Sequence, residues 1–313
     1  MTLLNRANNG HVPSMMVLWR TARVFCPTSR ARLETLCRPR ANAGDSRMMS
    51  YTFATWRALG LFEGDDEHVR LASPFDVIDQ VDTEALRTAV LELLLRPENS
   101  PTLLDSDTSD EISRASDFVR VATWALAQDP YRLASSNQDR VLEQASAQGI
   151  ALFKGDGRWV SFQEWAYFVG LGVMTRLGLV MNPARAVREV LSGRHALVAL
   201  SAEEDVPLTT FLSDLAKALP VVDGGAYRVR LDDVFRAKNH SFAPHQLSPA
   251  LALALLQLDH EGVIILSDRP GDVATRLSLL GRARAVVRTA SHIRRGTPRL
   301  AHGVATHVEG GQA

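Results

Sequence analysis

Cysteine is scarce in this sequence, with only Cys26 and Cys37 among its 313 residues. Two thiols are too few for a disulfide framework or a four-ligand zinc site, so we expect both to be core residues.

Long apolar runs are also missing from the sequence. None approaches the roughly 20 residues that span a bilayer, and residues 1–9 lack the basic-then-apolar order of a signal peptide. We therefore expect a soluble, cytoplasmic protein that does not contact a membrane.

The sequence also lacks the short motifs that accompany common catalytic sites. It contains no GxxxxGK[S/T] phosphate loop, no GxGxxG after a strand, no HExxH and no GxSxG. His240 and His245 lie in one loop, but their spacing matches no known zinc site, and loop histidines are usually solvated. We expect no metal, no cofactor and no catalytic residue, and hence a protein that is not an enzyme.

Lysine is nearly absent, because only three of the 35 basic residues are lysines and the rest are arginines. Such a skew is typical of genome composition, so the clustering of arginine is informative and its abundance is not. Residues 1–50 hold eight arginines and two acids, residues 51–111 hold four arginines and fourteen acids, and residues 276–302 hold seven arginines and no acid. Basic clusters of this kind are typical of surfaces that contact phosphate.

The first 74 residues predict three helices followed by a hairpin. The helices are expected at 12–25, 28–37 and 45–59, and residues 61–71 form two short strands around a polar tip. Three helices and a hairpin are the order of a winged helix-turn-helix. The expected core-facing side chains are Val17, Leu18, Val24 and Phe25 on the first helix, Leu33 and Leu36 on the second, and Met49, Phe53, Trp56 and Leu59 on the third.

The whole chain predicts an α+β, mostly helical protein with further winged-helix-like regions near its C-terminus. The pattern of a helix followed by a hairpin occurs near residues 59–71, 218–231 and 261–277, which leaves a tandem repeat open. We expect a winged helix-turn-helix domain at 1–74, a mainly helical domain at 75–193 with an exposed acidic loop at about 97–111, winged-helix-like structure at 194–302 and a disordered tail at 303–313. Further helices are expected at 83–96, 112–128, 139–148, 162–177, 182–191, 207–219 and 247–260, and hairpin tips at 155–157, 224–225 and 268–272.

The third helix carries the strongest candidate for DNA contact. If its apolar side packs inward, the outward side presents Arg47, Ser50, Tyr51 and Arg57 to a DNA groove. Arginine reads guanine through two hydrogen bonds, whereas hydroxyl groups suit phosphate oxygens. The tip at 64–67 is acidic and would repel phosphate, and many winged helices bind only proteins, so protein docking stays open as the alternative. The flanking cations are Arg30, Arg32, Arg38 and Arg40.

A second candidate surface lies in the basic segment near the C-terminus. Arg284, Arg288 and Arg295 recur at spacings that favour one stripe of a helix, opposite apolar residues such as Val286 and Val287. Such a stripe suits a phosphate backbone or an acidic partner. The simpler alternative is a solvated helix that pairs with acidic residues of the same chain.

The segment Trp56–Glu63 (WRALGLFE) ends the N-terminal winged helix. With the helical middle and the Ala/Leu-rich C-terminal half, it resembles the DpdG-type proteins of bacterial gene clusters that insert 7-deazaguanine bases into DNA and restrict unmodified DNA. The resemblance implies a cytoplasmic component of a phage-defence system beside modification or restriction enzymes, and it transfers no catalytic residue. We expect a non-enzymatic subunit that binds or targets double-stranded DNA and contacts other subunits of the complex. The alternatives are a docking scaffold and a winged-helix transcription regulator.

Overall fold

The computed structural model describes residues 2–5, 11–38, 47–101, 103, 114–133, 135–155, 157–192, 200–237, 245–280 and 285–297. In this part of the chain helices predominate over short antiparallel sheets, which makes the protein α+β. No helix there is long and apolar enough to cross a membrane. The helices are α1 (Val12–Phe25), α2 (Arg30–Leu36), α3 (Arg47–Leu59), α4 (Thr83–Leu95), α5 (Ser116–Ala127), α6 (Gln138–Ala147), α7 (Arg158–Phe168), α8 (Ala184–Leu191), α9 (Leu208–Ala218), α10 (Ala226–Ala237) and α11 (Pro249–His260).

The strands pair only in antiparallel fashion. The pairs are β1 with β2, β3 with β4 and β7 with β8, whereas β9 lies between β5 and β6 in a three-stranded sheet. The strands are β1 (Phe62–Glu63), β2 (Arg70–Leu71), β3 (Gly172–Thr175), β4 (Gly178–Met181), β5 (Val206–Pro207), β6 (Ile264–Ser267), β7 (Thr275–Leu280), β8 (Ala285–Ala290) and β9 (His292–Arg295).

Three successive helices followed by paired strands occur three times along the chain. The first unit contains α1–α3 with β1 and β2, and the second contains α5–α7 with β3 and β4. The third contains α9–α11, with β5 ahead of the helices and β6 and β9 behind them. Helix α4 connects the first two units, and α8 connects the second and third.

The buried apolar residues of all three units belong to one continuous cluster. Trp56 of α3 packs against Trp165 of α7 with ring centroids 5.3 Å apart, so aromatic stacking joins the first unit to the second. All five tryptophans are buried, and the indole nitrogen of Trp19 donates to the carbonyl oxygen of Phe75 at 3.2 Å. The predicted domain boundaries stay a prediction.

The segment after α4 is tied into this core. Asn99 is fully buried, and its amide donates to the carbonyl oxygens of Leu59 and Leu93 at 2.9 and 2.8 Å. Helix ends leave carbonyl groups without partners, and this side chain satisfies one at the end of α3 and one near the end of α4. The expected exposed loop is therefore wrong for Asn99, Ser100 and Leu103, which are all buried.

A buried carboxylate fastens the N-terminal residues to the second unit. Asp117 of α5 accepts hydrogen bonds from the backbone N–H groups of Leu4 and Phe118 at 3.0 and 2.8 Å. The Arg158 guanidinium lies 3.9 Å from the same carboxylate. Burial raises the pKa of Asp117, and the two backbone hydrogen bonds and Arg158 offset that rise only in part.

The first unit confirms most of the helix boundaries predicted from the sequence but only part of the predicted core face. Met49, Phe53, Trp56, Leu59, Leu33 and Leu18 are buried as expected. The core stripe of α1 instead consists of Met15, Leu18, Trp19 and Ala22, at spacings of three and four residues. The expectation was wrong for Val17, Val24, Phe25 and Leu36, which are exposed.

Four predictions of hairpins or helices are wrong elsewhere. Residues 151–155 are irregular and α7 begins at Arg158, so no pair of strands flanks Gly155 and Gly157 among the described residues. The helix predicted at 162–177 ends at Phe168 and gives way to the hairpin of β3 and β4. Residues 226–231, which were predicted to form the second strand of a hairpin, belong to α10, and β6 pairs with β9 instead of β7. The expected tail at 303–313 lies outside the described residues.

Candidate nucleic-acid interface

Helix α3 has one buried and one exposed polar side. Met49, Phe53 and Trp56 face the core, whereas Arg47 and Tyr51 are exposed on the opposite side. Ser50 and Arg57 flank this exposed stripe and are half-buried. The structure therefore gives all four predicted contact residues of α3 some access to solvent. We call these four residues the α3 surface.

The hairpin after α3 folds back against this surface. Arg57 forms an ion pair with Asp66 and donates to the carbonyl oxygen of Gly64 at 2.8 Å. Asp66 also lies 3.5 Å from Arg30, whose backbone N–H donates to the Asp66 carbonyl oxygen at 2.7 Å. Two of the predicted DNA-contacting arginines thus share one carboxylate of the hairpin tip.

The tip has a conformation that holds its charge close to the helices. Gly64 has φ of +88°, and a Cβ there would lie 2.1 Å from the His68 carbonyl oxygen, so only glycine fits. Asp65 accepts the backbone N–H groups of His68 and Glu67 at 2.8 and 3.0 Å, and these hydrogen bonds lower the pKa of the Asp65 carboxyl. The tip is therefore a fixed anionic group.

Arg30 is the most constrained cation of the surface. It donates to Glu34 at 2.7 Å and to the Ser50 hydroxyl at 2.9 Å, and its guanidinium carbon lies 5.2 Å from the centroid of the Phe53 ring. The hydrogen bond to Glu34 raises the pKa of the guanidinium further, so Arg30 stays charged. It acts as a bridge between α2, α3 and the hairpin.

The other cations flanking α3 are more accessible. Arg32 on α2 and Arg38 just after it are exposed. The Ser29 hydroxyl caps α2 by accepting a hydrogen bond from the backbone N–H of Arg32 at 3.4 Å. The Arg32 guanidinium takes no part in this cap. Arg40 lies outside the described residues.

The basic segment near the C-terminus does not form the expected helical stripe. Arg288 lies on β8, where it forms an ion pair with Asp259 at 2.6 Å and donates to the Leu266 carbonyl oxygen at 2.8 Å. Arg295 ends β9, opposite Ile264 of β6. Strand geometry separates residues that a helix would align, and Arg284 lies outside the described residues. The prediction of one helical arginine stripe is wrong.

The third helices of the other two units are occupied by packing. In α7, Trp159, Phe162 and Trp165 are buried, and its exposed large side chains are Val160 and Tyr167. In α11 only His260 is exposed, since the helix packs against α5, α8, β6 and β7. Among the third helices, α3 alone presents arginines beside an open polar face.

Sequence reasoning missed a second group of arginines. Arg132, Arg140 and Arg176 line a groove of about 1250 Å³ between the turn before α6 and the tip of the β3–β4 hairpin. They were missed because the hairpin was assigned to a helix. Gly170, Gly172 and Gly178 were the available signal, since glycines this dense interrupt a helix.

No group of metal-ligating side chains lies within the described parts of the chain, which include His245 but not His240. Cys37 is buried and Cys26 half-buried, and burial raises the pKa of both thiols. A raised thiol pKa disfavours the reactive thiolate, so these cysteines suit packing better than nucleophilic chemistry.

Comparison with known proteins gives one family. No curated protein and no solved structure shows a significant match. A family model described as DpdG-like matches residues 1–270, which is most of the 313-residue chain. The protein therefore belongs to the DpdG-like family, within the context of 7-deazaguanine DNA modification.

Proposed function

We propose that the protein is a non-enzymatic subunit that binds duplex DNA in a DNA-modification and defence system. In this proposal the first unit is a winged helix-turn-helix, α3 is its recognition helix and the β1–β2 hairpin is its wing. Arg47 and Tyr51 contact the duplex directly, and Arg32 contributes phosphate contacts from α2.

The observation that carries the proposal is the polar exposure of α3 in a fold whose other third helices present no exposed arginine. A recognition helix must lie outside its own core to reach base edges. Helix α11 fails this requirement because neighbouring elements cover it, and the exposed large side chains of α7 are Val160 and Tyr167, which offer no cation to DNA. The α3 surface fulfils it and is rich in hydrogen-bond donors.

The acidic tip favours a second candidate function, the docking of a partner protein. Asp66 neutralises part of the charge of Arg30 and Arg57, which reduces the attraction between the α3 surface and phosphate. A protein partner that supplies both hydrogen-bond donors and acceptors would suit this mixed surface. The salt dependence of binding separates the two functions, because release of counterions from DNA makes affinity fall steeply with salt.

The test is the double variant Arg32→Glu/Arg47→Glu in a duplex-binding assay by fluorescence anisotropy. Glutamate is compatible with the helix at both positions. Arg32 lies three residues after the Ser29 cap, where glutamate is common, and Arg47 begins α3, where the helix dipole stabilises a carboxylate. We expect at least a tenfold loss of affinity at ~0.1 M salt, since two cations become repulsive charges.

A control for charge reversal away from the α3 surface is Arg230→Glu, which changes one exposed arginine of α10. It should leave duplex affinity within about twofold, since surface charge far from a contact is screened. Wild-type protein without salt-sensitive duplex binding would favour the docking function. Equal losses in control and double variant would show that binding depends on overall charge and not on the α3 surface.

The proposal also includes the absence of catalysis. Purified protein should neither hydrolyse nucleoside triphosphates nor cut DNA when magnesium or zinc is present. Turnover that is lost after the change of His240 and His245 together would contradict this part of the proposal.

A further inference from the structure

The groove of the second unit is a basic feature separate from the α3 surface. It lies between residues 130–133 and 135–137 on one side and the tip of the β3–β4 hairpin on the other, and its described lining contains three arginines and no acid. Its volume of about 1250 Å³ is several times that of one nucleotide. The groove is therefore large enough for a segment of an extended polymer.

Hydrogen bonds and close contacts fix both walls of the groove. On one wall, Asp129 accepts the backbone N–H of Tyr131 at 2.9 Å, and the Ser135 carbonyl oxygen accepts the Trp159 indole N–H at 2.7 Å. On the other wall, the Thr175 hydroxyl donates to the Gly178 carbonyl oxygen at 2.8 Å. A Cβ at Gly178 would lie 2.9 Å from the Ser135 hydroxyl oxygen, so the two walls touch at the base of the groove. A preformed groove loses little conformational entropy when a ligand binds.

The charged groups that face the groove are only partly neutralised. Asp129 lies 3.6 Å from the Arg132 guanidinium, which is largely exposed. Arg140 and Arg176 are exposed, and within the described residues neither has an ion-pair partner. The groove thus attracts an anionic ligand mainly through Arg140 and Arg176.

Apolar groups accompany these cations. Tyr131 and Leu177 line the groove and are exposed, and Met174 of β3 is exposed close to the same tip. In a duplex the bases are stacked inside, and the outer surface offers mostly phosphate and sugar. A single strand offers phosphates and unstacked bases together, which matches arginines set beside an aromatic ring.

We propose that this groove binds a single strand of DNA, with Arg140 and Arg176 on its phosphates and Tyr131 against a base. This surface is separate from the α3 surface that we assign to duplex DNA. A protein with both sites would hold a duplex next to a locally opened strand.

The test measures binding of a 5′-fluorescein-labelled 20-nucleotide oligothymidine to the full chain by anisotropy over a series of salt concentrations. The main variant is Arg140→Glu/Arg176→Glu. Position 140 is the third residue of α6 after the Asn137 cap, where glutamate is favourable, so the helix is retained. We expect affinity to fall more than tenfold at ~0.1 M salt. The slope of log affinity against log salt should decrease by about 1.4, because two phosphate contacts are lost.

Two further variants test the role of the ring. Tyr131→Ala should weaken oligothymidine binding by roughly fivefold or more, whereas Tyr131→Phe should bind like the wild type, because stacking needs the ring and not the hydroxyl. Arg230→Glu is the charge control and should bind normally. Arg47→Glu should lose affinity for duplex and retain affinity for oligothymidine, which separates failure of this inference from failure of the proposed function.

Two results would overturn the inference. One is oligothymidine binding by Arg140→Glu/Arg176→Glu that equals wild-type binding, in protein whose thermal unfolding is unchanged. The other is tighter binding of poly-glutamate than of oligothymidine by the wild type, which would indicate an acidic protein partner. If the glutamate variant unfolds, Arg140→Gln/Arg176→Gln replaces it, and wild-type affinity in that variant would equally refute the assignment.

Discussion

Neutralisation of Asp66 tests how the hairpin tip controls the α3 surface. The change Asp66→Asn keeps the size of the side chain and removes the carboxylate shared by Arg30 and Arg57. All three side chains are about one-third to one-half exposed, and ion pairs in that setting contribute only about 0–1 kcal/mol to folding. We therefore expect a folded variant with two less neutralised arginines beside α3.

The size of the effect follows from the number of freed cations. Each arginine that becomes available to a phosphate adds about 0.9 to the slope of log affinity against log salt for a duplex, so the slope should steepen by up to about 1.8. If each released cation contributes about 0.2–1 kcal/mol, duplex affinity should rise roughly 2- to 30-fold.

Duplex binding by fluorescence anisotropy at several salt concentrations measures both quantities. The matched control is Asp233→Asn on α10, because Asp233 is similarly exposed and is paired with Arg236 at 2.6 Å. The control should not change duplex affinity. Unchanged or weaker binding of the Asp66→Asn variant would refute the argument that the tip masks the arginines.

Two stability predictions concern buried side chains that join the units. Trp56→Ala should lower the free energy of unfolding by about 3–5 kcal/mol, because it removes a fully buried ring that contacts Trp165, and denaturation followed by circular dichroism measures the loss. An unchanged transition would show that Trp56 is not in the core. Asp117→Ala should cost about 3 kcal/mol, since it leaves the buried Leu4 N–H without its acceptor and removes the carboxylate that lies 3.9 Å from the Arg158 guanidinium. Burial raises the pKa of Asp117 in the native state, so protonation of this carboxyl stabilises the fold. That stabilisation is fully present below the ordinary carboxyl pKa and is lost as pH rises through the raised native pKa. Urea denaturation across that pH window should show the decline in stability in the wild type and not in Asp117→Asn.

The predicted helices were correct wherever the sequence carried both a periodic apolar stripe and a boundary signal. Helix α3 has Met49, Phe53 and Trp56 in register and ends at Gly60, whose φ is +102°. The glycines at 224 and 225, which immediately precede α10, were interpreted as a hairpin tip. The stripe Tyr227, Leu231 and Phe235 at four-residue spacing identifies the helix, and all three are buried.

The C-terminal strands show why spacing of charges alone misleads. Arginines at three- and four-residue intervals suit a helix, but polar groups do not determine secondary structure when the packing of apolar residues opposes it. In β7 and β9, Leu277 and Ile293 are buried within strands whose backbone groups pair along their length. The partners of β9, which are β5 and β6, lie far from it in sequence, and local patterns do not reveal such pairing, whereas β7 pairs with the adjacent β8.

The candidate site was predicted residue by residue but not as an electrostatic unit. The outward side of α3 follows from helical periodicity, and the acidic tip was recognised as a group that repels phosphate. Its ion pairs with Arg30 and Arg57 require a hairpin that turns back onto α2 and α3. That contact depends on tertiary structure, so the sequence alone does not specify it.

The placement of tryptophan makes the protein its own optical reporter. All five indoles are buried and all lie between Trp19 and Trp165, within the first two units. Native emission should be blue-shifted and should move to longer wavelength when these units unfold, whereas circular dichroism also follows the helices of the third unit. Coincident midpoints by the two methods would show one cooperative transition, and separate midpoints would show that the third unit unfolds independently.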